Sequence, residues 1–497
     1  MNRLKRLLLI TASLSLIATI ACGEGLEDKV REHRLANGLK LLMVERHASP
    51  TIAAWIRFKV GSVNERSDER GVAHMLEHML FKGTRTIGTK NYAAEVPLLA
   101  KIEETAQQLM AEKLKRDKAD PKRIRELTDR LAALQAEDDK YVVPDEYAEI
   151  FAKNGGVGFN AFTAKDTTAY MVNLPANKLE LWAAIQADRM LNPVLRQFYT
   201  ERNVVMEERR RSYDAEPGGK LWEDFVAAAF LVHPYGQPVI GWPSDIENLS
   251  RTKAEEFLHR YYAPNNAVVA IIGDIDPQQT IELVEKYFTA IPPGTPVATV
   301  AVDEPEQAGE RRTEVIGDAE PELLIGFHKP TLPSTDNYVF DVIDMLLANG
   351  KTSRLYKKLV EEKQLVTDVS TEVVPGTLYP NLFMIGATPR SPHTVIEVEK
   401  GIYAELERLK NEPVTERELQ RILNNMEAAE IRSMGSNGGL AYRLTEYEAT
   451  AGSWRYFFEH RQRVAKVTPD DIMRVARKYL VRENRTVGFI TKGEVNK

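Results

Sequence analysis

Residues 71–80 read GVAHMLEHML, with His74 and His78 four apart and Glu77 directly before the second histidine. On an α-helix, positions four apart lie one turn above each other on one face, so both imidazoles can address one metal ion. Glu77 lies a little to one side of that stripe, within reach of a water in an open coordination position. The widespread zinc-peptidase helix has the order His-Glu-x-x-His. Running the helix the other way past the metal returns the carboxylate to the same water, so the inverted order preserves the constellation. A catalytic zinc uses three protein ligands and keeps a fourth position for water. The other seven of the nine histidines are scattered singly, which makes a carboxylate the expected third ligand. YTERNVVMEERRR (199–211) offers Glu201, Glu207 and Glu208. Glu201 and Glu208 are two helical turns apart and share a face, with Val204 and Val205 expected to pack inward beside them. One glutamate can then bind metal while the other supports the site by hydrogen bonding.

Such a helix needs a frame. REHRLANGLKLLMVERHASP alternates apolar and polar residues around Asn37-Gly38, a hairpin signal, and TIAAWIRFKVGS reads as a further strand before the histidine helix. NLSRTKAEEFLHRYYAPNNAVVAIIGDI (248–275) reads as helix, turn and buried strand, and KVTPDDIMRVARKYLVRENRTVGFITKG (466–493) reads the same way. Tyr261 aligns with Tyr479 and Asn266 with Asn484, both pairs 218 residues apart, which points to a tandem duplication. The expected fold is α+β: two tandem homologous α/β two-layer domains, each a mixed, largely antiparallel sheet with helices on one face. The first copy spans 30–290 and the second 313–497, joined by the Pro- and Gly-bearing acidic linker 291–312. Residues 94–140 fit neither copy. Their helical spacing, with Asp120-Pro121 as N-cap and first-turn proline, predicts an inserted helical hairpin. It is either a docking arm for a partner or a solvated elaboration without chemistry.

Of the 497 residues, 43% are hydrophobic and 28% charged, a globular profile long enough for more than one core. The formal charge is −6, and no basic patch interleaved with aromatics is present, which argues against nucleic acid as a partner. Residues 1–22 carry Arg3, Lys5 and Arg6, then an apolar run of signal-peptide length, then small residues. The sole cysteine, Cys22, ends that run after Thr19-Ile20-Ala21 and cannot form an internal disulfide. The stretch resembles a bacterial lipobox, which implies export to the periplasm and a lipid on Cys22 as the only membrane attachment. The alternative is a plain cleaved signal with an incidental cysteine.

HMLEH, NGGVGFNAFTAKDTTAYMVNLPANKLELWAAIQADRM (154–190) and ERNVVMEE (201–208) together resemble the pitrilysin/insulinase family of inverted zincins. The bacterial two-domain form is the nearer likeness, and it is similar to the beta subunit of the mitochondrial processing peptidase. The likeness runs through HPYGQPVIGWPSDIENLS and, more weakly, the second half. It implies one zinc per chain held by His74, His78 and Glu208, with Glu77 as general base and Glu201 supporting from behind. It also implies that Asn160 and Ala161 lie on a sheet edge that binds substrate as an added strand. His233 of HPYG reads as structural, and Arg209-Arg210-Arg211 as partly solvated and partly ion-paired.

Members of that family usually bring an arginine and a tyrosine from the second half to the substrate. Here LVEEKQLVT places Val360 and Thr367 at those positions, and neither can replace the missing side chain. Arg354 and Tyr356 lie nearby at the wrong offset. A second family chain supplying the pair is the favoured alternative, which makes this chain the zinc-bearing half of a heterodimer. The expected activity is hydrolysis of peptides or unfolded polypeptide segments; the alternatives are a non-catalytic scaffold of the same fold and a metal-storage protein. A scaffold needs no ordered ligand set, and storage needs no Glu77.

Overall fold

A computed structural model describes residues 25–492; the leader and Cys22 lie outside the described residues. The first half runs β1 (Arg31–Arg34), β2 (Lys40–Glu45), β3 (Thr51–Phe58), α1 (Val72–Met79), α2 (Tyr92–Lys113), α3 (Pro121–Asp138), α4 (Glu146–Lys153), β4 (Val157–Thr163), β5 (Thr168–Pro175), α5 (Leu179–Leu191), α6 (Phe198–Arg209), α7 (Pro217–Ala229), α8 (Pro243–Glu247), α9 (Arg251–Tyr261), β6 (Ala267–Gly273) and α10 (Pro277–Phe288). Its sheet has the order β1-β2-β6-β3-β5-β4. Only β2 and β6 pair in parallel. AVVAIIG of β6 is buried along its whole length, the pattern of a strand covered on both faces. Gly38, with φ +90°, makes the tight turn between β1 and β2.

The second half runs β7 (Arg311–Gly317), β8 (Leu323–Lys329), α11 (Thr335–Leu347), β9 (Val366–Val374), β10 (Asn381–Pro389), α12 (Val395–Asn411), α13 (Glu416–Ser433), α14 (Asn437–Thr450), α15 (Tyr456–Val464), α16 (Pro469–Tyr479) and β11 (Arg485–Lys492). Its order, β7-β11-β8-β10-β9, repeats β2-β6-β3-β5-β4 strand for strand, including the single parallel pair. The aligned asparagines do the same work in both copies. Asn266 donates its side-chain amide to the carbonyls of Tyr261 (2.8 Å) and Lys59 (3.3 Å). Asn484 donates to those of Tyr479 and His328, both at 2.8 Å. The duplication read from Tyr261/Tyr479 and Asn266/Asn484 is therefore present in topology and in hydrogen bonding.

Each copy packs its own helices on one face of its sheet, and the opposite face is covered by one helix from the other copy. Leu440, Ala441 and Leu444 of α14 close over Leu42, Ala53, Val268 and Ala270 of the first sheet. Leu221, Phe225 and Ala229 of α7 close over Leu324, Leu382 and Ile490 of the second. Polar contacts reinforce the exchange. The buried Arg57 of β3 pairs with Glu446 of α14 (2.5 Å) and lies over the rings of Phe162 and Tyr442. The α2–α3 hairpin packs Ile102, Leu109, Leu127 and Leu131 into the first core, and Asp120 caps α3 by accepting from the Lys122 amide. No helix among the described residues is long and apolar enough to cross a membrane.

Candidate metal centre

Helix α1 faces two ways. Val72, Ala73, Met75, Leu76 and Met79 are buried in the first core, which turns His74, Glu77 and His78 to the opposite side. Its start is fixed from a distance. Gly71, at φ +88°, offers no side-chain cap, and the half-buried Glu65 instead accepts the amides of Gly71 (2.9 Å) and Ala73 (2.8 Å).

Helix α6 brings its glutamates to this face, and the three divide the work. Glu208 faces both histidines, at 3.6 Å from His74 Nε2 and 3.4 Å from His78 Nε2. Glu201 takes the far side of His78, with Oε1 at 3.0 Å from Nδ1, and its other oxygen lies 2.6 Å from Lys82 Nζ. Glu207 is engaged by Arg210 and Arg211 and points elsewhere. Val205 is buried as expected, whereas Val204 is 48% exposed. One residue is a rotation of about 100° on a helix, which carries Val204 past the edge of the buried stripe that holds Val205. One donor atom from each of His74, His78 and Glu208 lies within 4.8 Å of the others, which brings this set within reach of one ion.

Electrostatics set the protonation states. Burial pulls the His74 imidazole down to about 4, and the neighbouring His78 adds to the effect. Burial also acts against the His78 cation, but hydrogen bonds to Glu201 and Glu208 outweigh it and raise His78 to about 9. Glu201 is held down to about 2: burial pushes its carboxyl up, and the hydrogen bonds with His78 and Lys82 more than offset this. Glu77 is raised by burial, and its Oε2 accepts a 2.6 Å hydrogen bond from Thr163 Oγ1. Lys82, Thr163 and Glu65 were not legible as site residues. Lys82 does continue the four-residue spacing of His74 and His78, and Thr163 lies three residues beyond Asn160.

Thr163 belongs to β4, the outer strand of the sheet. Asn160 is exposed and Ala161 buried on the same strand, next to a register shift between Val157 and Asn160. His233 is buried away from the histidine pair, accepting from the Tyr235 amide and packing against Phe230 and Tyr379. Arg209 is buried on Glu223, while Arg210 and Arg211 are exposed. Val360 packs against the second core, and Thr367 donates to the Thr388 carbonyl. Arg354 is spent on Glu418 (2.8 Å), and Tyr356 lies against the second core. The counterpart of α1 in the second copy, α11, holds no histidine. A cavity of about 760 Å³ lies there, with Asp341, Asp344, Glu372 and Glu430 in its wall.

A duplicated α/β fold with His-x-x-Glu-His in the first copy alone defines the inverted-zincin class of peptidases. Two family models match. "Insulinase (Peptidase family M16)" covers residues 40–107 and 127–242, and "Peptidase M16 inactive domain" covers 248–426. The chain belongs to this insulinase, or M16, family. Among its relatives, the zinc protease PqqE of Helicobacter pylori is 27% identical over 97% of this chain and 98% of that protein. An uncharacterised zinc protease of Streptomyces coelicolor is 24% identical over 93% and 90%. The crystal structure of a protease from Helicobacter pylori superposes with TM-score 0.77 at 27% identity, covering 93% of this chain and 99% of that one. The fold is shared with the periplasmic protease PqqL of Escherichia coli at TM-score 0.69 and 16% identity, over 94% of this chain but 48% of that one.

Proposed function

We propose that the chain is a zinc-dependent endopeptidase acting on peptides or unfolded segments, and the metal-bearing half of a heterodimer. We further propose that it is exported to the periplasm and tethered to a bacterial membrane by lipid on Cys22. The observation that carries the peptidase reading is the convergence of His74, His78 and Glu208 with Glu77 on the same helix face. The donor set fits zinc: two imidazoles and a carboxylate, with His78 Nδ1 held by Glu201 so that an ion would take the place of the proton between His78 Nε2 and Glu208. Zinc held there would bring the pKa of a water to about 7 and polarise a peptide carbonyl.

The remaining steps belong to the chain. Burial keeps His74 neutral, so its Nε2 lone pair is available near neutral pH. Thr163 fixes Glu77 Oε2, which leaves Oε1 to take the proton of the attacking water and pass it to the leaving amine. Burial makes Glu77 a stronger base than an exposed carboxylate. The outer edge of β4, with Asn160 and Ala161, would take the substrate as an added strand, a backbone-led recognition that tolerates varied sequences. The partner reading is supported by Val360 and Thr367 at the arginine and tyrosine positions and by the commitment of Arg354 to Glu418. In PqqL this fold accounts for about half of a longer chain, so a second half beside it has a parallel. A pure scaffold would leave the ordered set of four side chains without a reason.

The test is zinc content and cleavage of a quenched unstructured peptide by the chain from Gly23 onward. Glu77→Gln should keep the metal and lose about 10²–10⁴-fold in rate. Activity in the isolated chain would overturn the heterodimer, and failure to bind zinc would overturn the peptidase reading. Membrane fractionation that is lost in Cys22→Ala tests the tether.

A further inference from the structure

The far end of the α2–α3 hairpin, KLKRDKADPKRIR (113–125), carries seven cations against two carboxylates on a chain of formal charge −6. All seven are exposed. Lys113, Lys115 and Arg123 have carboxylate neighbours in Glu247, Glu112 and Glu126. Arg116, Lys118, Lys122 and Arg125 form no ion pair among the described residues. The family match skips residues 108–126, so this surface is an addition to the common fold.

Local stability does not account for these charges. Lys122 and Arg123 stand in the first turn of α3, where the helix dipole favours carboxylates and disfavours cations. Arg116 has φ +53°, a left-handed conformation that suits glycine or asparagine better. The hairpin is anchored well away from its tip, by Ile102, Leu109, Leu127 and Leu131. Among the cations stands Leu114, 62% exposed and flanked by Lys113, Lys115 and Arg116.

Leu114 and Arg116 border a cavity of about 250 Å³ beside Arg202, Glu247 and Asn248, whereas Lys118, Lys122 and Arg125 lie outside it on the open surface. Cations around an exposed leucine match a broad anionic surface with an apolar layer beneath it. We propose that this tip docks the protein onto the anionic phospholipid headgroups of a membrane. Arg116, Lys118, Lys122 and Arg125 lie on phosphates, and Leu114 enters the boundary between headgroups and acyl chains. The proposal rests on the export reading only in placing the chain beside a membrane, and it uses no metal.

The experiment is co-sedimentation of the chain from Gly23 onward, free of any acyl group, with two kinds of vesicle. One contains phosphatidylglycerol in phosphatidylethanolamine and the other phosphatidylcholine alone. Binding is expected only to the anionic vesicles and should weaken as salt is raised. The triple variant Lys118→Gln/Lys122→Gln/Arg125→Gln should lose on the order of 100-fold in partitioning, at about five-fold per charge. Leu114→Ser should lose about ten-fold with its salt dependence intact. A thermal melt confirms that these surface variants remain folded. Equal binding to neutral vesicles overturns the proposal, as does an unaffected triple variant. Retention on immobilised poly-glutamate that ignores Leu114→Ser, without vesicle binding, assigns the tip to an acidic protein and also overturns it. Loss of peptidase activity does not enter this readout, so the two readings fail separately.

Discussion

Lys82→Met should weaken zinc binding although Lys82 touches no proposed ligand. Lys82 Nζ lies 2.6 Å from Glu201 Oε2, and Glu201 Oε1 lies 3.0 Å from His78 Nδ1, so lysine acts on His78 through one carboxylate. A charge-assisted hydrogen bond contributes about 1.5–3 kcal/mol. The lysine is 27% exposed, so screening places this one near the lower end. One pKa unit corresponds to about 1.4 kcal/mol, so Glu201 would move up from its present value of about 2 by roughly one unit and stay ionised at neutral pH. His78 thus keeps its acceptor but loses part of the restraint on its orientation. Supporting residues of this kind change metal affinity by about 10–100-fold, and Lys82→Met belongs near ten. Glu201→Gln removes the charge itself and belongs near a hundred. Because lysine works only through Glu201, the double variant should match Glu201→Gln within about two- to three-fold. Chelator competition for zinc on folded protein measures all four corners of the cycle. Full affinity in Lys82→Met, or losses that multiply in the double variant, would refute the relay.

Two further outcomes concern the frame. Arg57→Met removes one partner of a buried ion pair and strands Glu446, so chemical denaturation should show a loss of about 3–5 kcal/mol, with part regained on adding Glu446→Gln. Asp344 is pushed up to about 6 by burial, with Asp341 and Glu372 adding to it, so the folded state retains a proton that the unfolded state releases near 4. Stability should therefore fall as pH rises from about 4 to 6 and stay level above that, by about 2–3 kcal/mol, and Asp344→Asn should flatten the slope.

What the sequence revealed follows from how local each signal is. His74, Glu77 and His78 sit within one helical turn, so their common face is a matter of helix geometry alone. The third ligand was harder, because Glu201, Glu207 and Glu208 share one helix and differ only in what surrounds them. Arg210 and Arg211 draw Glu207 away, and Lys82 with His78 holds Glu201. Thr163 meets Glu77 across 86 residues of chain, a contact that no spacing encodes. Likewise, Leu440, Ala441 and Leu444 mark a buried stripe without telling which sheet covers it. That the stripe belongs to the first sheet emerges only in three dimensions.

The exchange of α7 and α14 gives the copy without the His-x-x-Glu-His helix a part in the site. Phe162 of β4 packs between Trp55 of β3 and Tyr442 of α14, with ring centroids 6.4 Å from each. The Arg57 guanidinium lies 5.3 Å from the same phenylalanine ring while pairing with Glu446. Phe162 alternates along β4 with Ala161 and Thr163, which face the side of the sheet where α1 carries the histidines. The proposed substrate edge is thus clamped between α1 on one face and a helix of the other copy on the opposite face. An outer strand with only one neighbouring strand would otherwise be free to twist away from its sheet. Holding its backbone still relative to Glu77 is a task for the second copy, and it requires no catalytic residue there. This task needs no histidine on α11, so the second copy can lack a metal pair and still determine the geometry of the first.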